Sequence, residues 1–113
     1  MSGRVELPSG MWTGHYEQMG RAYPQHLKLE FADGLIRGDG VDDLGTFAID
    51  GEYRLEGSEM RMGWIKTYDG AHSVLYLGEL LDRTIRGRWS LTGASGTFAL
   101  APADRGGAGG EMS

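Results

Sequence analysis

The chain has 113 residues, a formal net charge of −5 and no cysteine, which suits one domain with one core and excludes a disulfide framework, Cys-ligated zinc and a thiol nucleophile. The acidic balance argues against nucleic acid and anionic membranes as partners. With 20 glycines, where ~7% is usual, and only three prolines, the composition favours turns and tightly packed strands over helices.

Period two dominates the chain. Residues 1–9 read as a lead-in without an apolar signal region, and no apolar run approaches the ~20 residues that span a bilayer, so a cytoplasmic location is expected. Residues 11–18 place Trp12, Gly14, Tyr16 and Gln18 on one side, and residues 20–25, with Pro24, are expected as a connection. Residues 26–31 turn Leu27, Leu29 and Phe31 inward before an Asp33-Gly34 hairpin turn. Residues 35–42 carry Ile36, Gly38, Gly40 and Asp42 on one face. After a turn at Asp43-Leu44, residues 45–53 carry Phe47, Ile49, Gly51 and Tyr53.

A loop over 54–58 leads to a second hairpin, in which residues 60–68 and 72–78 flank Asp69-Gly70-Ala71. Residues 84–91, with Ile85, Gly87 and Trp89 on one face, follow a turn at 80–83. A loop at 92–96 precedes a last strand at 97–101 with Phe98 and Leu100 inward, and residues 102–113 read as a flexible Gly-rich tail. The expected fold is all-β, a single up-and-down antiparallel barrel of about eight strands over residues 10–101. The turns set Leu29 and Ile49 beside Gly38, Leu27 and Phe47 beside Gly40, and Ile36 beside Gly51. A narrow barrel interior needs such alternation of large and small.

If Trp64 faces the core, so do Lys66 and Tyr68, because alternate side chains share a face. In a meander the inward residues at one rim are then Tyr16, Gln18, Asp42, Lys66, Tyr68 and His72. At the other they are Trp12, Phe31, Ile36, Tyr53, Met60, Met62, Tyr76 and Ile85. One end is polar and the other apolar, which describes a cup with a ligand site in its mouth. Lys66 is expected to pair with Asp42, because an unpaired buried ammonium is costly. Phe47, Trp64, Tyr76 and Trp89 would supply an aromatic wall.

Gly10-Met11-Trp12 resembles the Gly-x-Trp of the first strand in calycins, the superfamily of lipocalins, fatty-acid-binding proteins and avidins. Trp64, Tyr68 and Ala71-His72-Ser73 have the spacing of an avidin or streptavidin stretch with Trp, Tyr and Ala-His-Ser at the same offsets. Residues 85–91, with Trp89 and Leu91, look like the late avidin strand that carries a pocket tryptophan. The resemblance implies an eight-stranded barrel with a ligand in its mouth, often in an oligomer. Trp64, Ser73 and Trp89 match the avidin site. Its polar biotin contacts fall on Gly14, Gly40 and Asp42 and near Gly96, so the resemblance carries an apolar wall without the biotin contacts.

The avidin pattern would turn Ser73, Leu75 and Leu77 inward, whereas pairing Tyr76 with Trp64 turns His72, Val74 and Tyr76 inward. A one-residue slip separates the two. The second register leaves Ile65, Leu75 and Leu77 as an exposed apolar strip, through which a homodimer is expected. The function expected first is non-catalytic binding of a partly apolar small molecule with an anionic or hydrogen-bonding group. Its site residues would be Tyr16, Gln18, Asp42, Phe47, Trp64, Lys66, Tyr68, His72, Tyr76 and Trp89. An alternative is a small isomerase-, cyclase- or hydratase-like enzyme using Asp42, Lys66, Tyr68 and His72. A third is an oligomeric interaction module. No cofactor is implied, and His15, His26 and His72 lie on different strands, so no metal site is expected.

Overall fold

The computed structural model describes residues 7–103. Eight strands form one closed antiparallel barrel: β1 (Gly10–Gln18), β2 (Arg21–Ala32), β3 (Leu35–Asp42), β4 (Gly45–Glu56), β5 (Glu59–Tyr68), β6 (Ser73–Leu81), β7 (Thr84–Leu91) and β8 (Ala94–Pro102). Each strand pairs with its sequence neighbours, and β1 closes on β8 from Trp12↔Pro102 to Tyr16↔Phe98. Two of the links, Met19-Gly20 and Asp33-Gly34, have left-handed φ at both residues (53° and 81°, 55° and 80°). That conformation matches the twist of a two-residue hairpin.

The strands run longer than the sequence suggests. β2 begins at Arg21, so residues 20–25 are mostly strand rather than connection. Pro24 is opposite His15, but the β3 partner of β2 ends at Gln25↔Asp42, so the proline occupies a stretch with a free side. Likewise β4 continues to Glu56, β6 to Leu81, and β8 starts at Ala94 instead of Thr97. In each case the extension needs no apolar signal of its own, because backbone pairing with a neighbour already in place carries it.

The core is the inward face of the alternation. Leu27, Leu29, Ile36, Phe47, Ile49, Met62, Trp64, Ile85, Phe98 and Leu100 are all buried. The expected pairings of large with small hold: Leu29↔Gly38, Leu27↔Gly40, Gly38↔Ile49, Gly40↔Phe47 and Ile36↔Gly51. A Cβ added at Gly40 would lie 2.7 Å from the Phe47 ring, so the glycine is the space the phenyl group uses. In β6 the Trp64↔Tyr76 register holds, with Val74 and Tyr76 buried and Leu75 and Leu77 outside. The inward face suggested by the avidin-like spacing is therefore the outer one.

The apolar end is closed by the chain itself. Leu7 packs against the core, Trp12 Nε1 donates to the Pro8 carbonyl at 2.9 Å, and the Phe31 amide donates to Ser9 Oγ at 3.0 Å. The Phe31 ring meets Trp12 and Tyr53 edge-on, both at 5.8 Å. The last part of the expected lead-in is thus packed rather than loose. Residues 1–6 and 104–113, which hold the rest of the lead-in and nearly all of the expected tail, lie outside the described residues.

Candidate functional site

The parity of β5 points Lys66 into the barrel, where it is wholly enclosed. Its ammonium donates to Asp42 Oδ2 at 2.6 Å, Gln25 Oε1 at 3.1 Å and the Tyr76 hydroxyl at 3.2 Å. An ammonium has three N–H groups, so its donors are all used. Asp42, at the end of β3, also accepts from the Tyr68 hydroxyl (2.6 Å) and from the Leu44 amide (2.8 Å). The Phe47, Tyr16, Tyr68 and Tyr76 rings surround Lys66 Nζ at 4.3–5.3 Å, adding cation–π attraction in a dry site. Burial lowers the Lys66 pKa, while the hydrogen bond and charge of Asp42 act in the opposite sense.

Above this network the mouth holds a cavity of about 90 Å³. Of the expected site residues, Tyr16, Gln18, Tyr68, His72, Tyr76 and Trp89 line it. Asp42, Phe47, Trp64 and Lys66 do not; they form the packed layer beneath. Trp64 is stacked on Tyr76 (5.5 Å, 12°). Tyr76, placed by parity towards the apolar end, reaches the polar half with its hydroxyl. The wall is held in place by its own contacts. Tyr16 donates to Asp43 Oδ1 at 2.7 Å, and its ring meets Trp89 edge-on at 6.2 Å. Trp89 Nε1 donates to the Glu17 carbonyl at 2.9 Å. His72 lies in the β5–β6 turn, solvent-exposed, with its ring tilted against Tyr68 at 5.1 Å.

Leu44, Val74, Leu91 and Ala94 complete the lining, and Gln25 and Asp43 complete the network below it. The alternation of Leu27 and Leu29, carried two residues back to the position after Pro24, would have turned Gln25 inward. Nothing local marks Asp43, because its partner Tyr16 is 27 residues away and on a strand that β3 and β4 do not pair with.

Three phenols of the site have their pKa raised above the ordinary value near 10. Burial is the main cause for each; the bond to Asp43 adds to it at Tyr16, and the bond to Asp42 at Tyr68. At Tyr76 the Gln25 amide works against burial, and the charge of Asp42 adds to it. A raised folded-state pKa stabilises the fold fully below the unfolded value of ~10 and loses that stabilisation as pH climbs beyond it. In an absorbance titration at alkaline pH, Tyr16, Tyr68 and Tyr76 are expected to ionise only together with unfolding. Reversible ionisation of every tyrosine at the ordinary value, with the fold intact, would contradict this geometry.

No protein-family model matches the chain, and no curated protein matches it.

Proposed function

We propose that this protein is a non-catalytic binding barrel whose mouth takes the small apolar end of a larger ligand. One observation carries the reading: an aromatic-walled cavity sits at the open polar rim, directly above a charged network in which all three Lys66 donors are already used. The cavity of about 90 Å³ is below the ~300–1,000 Å³ of a site that swallows a whole drug-sized molecule and below the ~150 Å³ that accepts benzene. It suits a branched aliphatic end group, with the rest of the ligand lying across the rim.

Apolar contact would come from Trp89, Val74, Leu44 and Leu91. Orientation would come from Gln18 and His72, whose side chains make no hydrogen bond among the described residues. Lys66 acts from below by fixing Asp42, Tyr68 and Tyr76 rather than by touching the ligand. Asp42 already accepts three hydrogen bonds and its side chain is fully enclosed, so the network supports rigid binding over acid–base work.

The test is an NMR titration with isobutanol, isobutyrate and phenol as probes. Isobutanol or isobutyrate should shift the Trp89 indole, Leu44 and Leu91 signals, with phenol weaker. Val74→Phe, which fills the cavity, should abolish the shifts while the fold persists. Native mass spectrometry of gently purified protein adds a ligand search. Probe shifts scattered away from the mouth, or unchanged in Val74→Phe, would remove the reading.

A further inference from the structure

We infer that the outer face of β4–β7 is a two-fold interface between two copies of this chain. The inference is independent of the mouth, which opens at one end of the barrel and not on this face. The register sets the outward residues in three rows. The first runs Asp50, Ile65, Leu75, Ser90; the second Glu52, Gly63, Leu77, Arg88; the third Arg54, Arg61, Glu79, Arg86. Ile65, Leu75 and Leu77 are 41%, 37% and 56% exposed, an apolar strip with nothing over it. A shallow depression of about 710 Å³ runs along β4–β6, where the outward Gly63 puts no side chain. Glu52 and Arg88 flank the strip on opposite sides and have no ion-pair partner among the described residues.

This pattern is complementary to itself in one arrangement. A two-fold axis lying in the interface and parallel to the β5–β6 seam exchanges β5 with β6 and β4 with β7 while keeping each row. Ile65 then meets Leu75 of the second copy, and Leu77 meets the Gly63 depression. Arg61 meets Glu79, and Glu52 meets Arg88. Like charges meet only where Arg54 faces Arg86, at a corner. An axis across the strands would instead set Ile65 on Arg61 and Leu75 on Glu79, burying charge against apolar groups. Both signs of charge bracket the strip, so a uniformly acidic or basic partner matches half the rim, whereas a second copy matches nearly all of it.

Sedimentation velocity between about 1 and 100 μM, a range that brackets micromolar association, tests this. The protein should dimerise, and Leu77→Glu should make it monomeric. Glu52→Arg and Arg88→Glu should each weaken the dimer by about tenfold or more, since like charges then face each other. The double variant Glu52→Arg/Arg88→Glu should restore wild-type association, because the axis pairs those two positions. All the substituted positions are on the surface of the monomer, and circular dichroism checks that each variant folds; if Leu77→Glu does not, the charge-reversal set decides. A monomer throughout the range overturns the inference. So does a dimer indifferent to these changes, or a double variant no better than the single ones.

Discussion

Lys66→Met is expected to destabilise the barrel by about 3–5 kcal/mol, and Asp42→Asn by a similar amount. The double variant Lys66→Met/Asp42→Asn should cost less than either single change. The Lys66 and Asp42 side chains are 1% and 0% exposed, and their charged atoms lie 2.6 Å apart. Removing one leaves the other as an uncompensated charge in a dry interior, which is the expensive state. Removing both leaves no buried charge, and the amide oxygen of the substituted asparagine can still accept from the Tyr68 hydroxyl. Urea unfolding followed by tryptophan emission provides the three numbers of the cycle. Additive effects, or a stabilising Lys66→Met, would mean that the pair is not held as buried charges. The coupling should also persist at high salt, because screening barely reaches an enclosed pair.

The second large effect falls on a position without a side chain. Alanine in place of a strand glycine ordinarily gains ~0.5–1 kcal/mol from the reduced entropy loss. Gly87→Ala should do the reverse and cost about 3 kcal/mol or more. Gly87 faces inward on β7 opposite Gly78 and Phe98, and an added Cβ would run into the Leu77 carbonyl and lie 2.6 Å from Gly78 Cα. Both are backbone atoms of a paired strand, so neither can step aside without opening the barrel. A loss of that size lowers the melting temperature by roughly 10–25 °C in a domain of this length.

Gly63→Ala is the control. There the nearest atom is Leu77 Cδ2 at 2.8 Å, the end of a flexible and exposed side chain, so the change should stay within about 1 kcal/mol at concentrations where the chain is monomeric. Equal melting temperatures for the two variants would contradict the packing described.

The same contrast separates what could be read along the chain from what could not. Alternation put Trp64, Lys66 and Tyr68 on one face, and the Asp-Gly turns set the registers that bring Leu29 beside Gly38 and Trp64 beside Tyr76. From those two rules the Lys66–Asp42 pair followed, since a buried ammonium needs a carboxylate and Asp42 was the acid at its rim. Pro24 misled, because a residue without an N–H looks like a break, yet on a free side it costs a strand nothing. The avidin-like spacing would have turned the other face of β6 inward, whereas the pairing of Tyr76 with Trp64 chose the observed one. Matching residue offsets do not preserve the face when the register differs by one.

Strand number, the inward face of each strand and the neighbour across each hairpin were decided by the amino-acid order, because they depend on alternation and on turns a few residues long. The size of the mouth cavity, the use of all three Lys66 donors, the Tyr16–Asp43 bond and the sinking of Phe47 and Trp64 below the site were decided only on closure. Most of those contacts join strands that are not paired, across an interior whose width is set when β1 meets β8 and whose free space is what remains after the aromatic rings and glycines have packed.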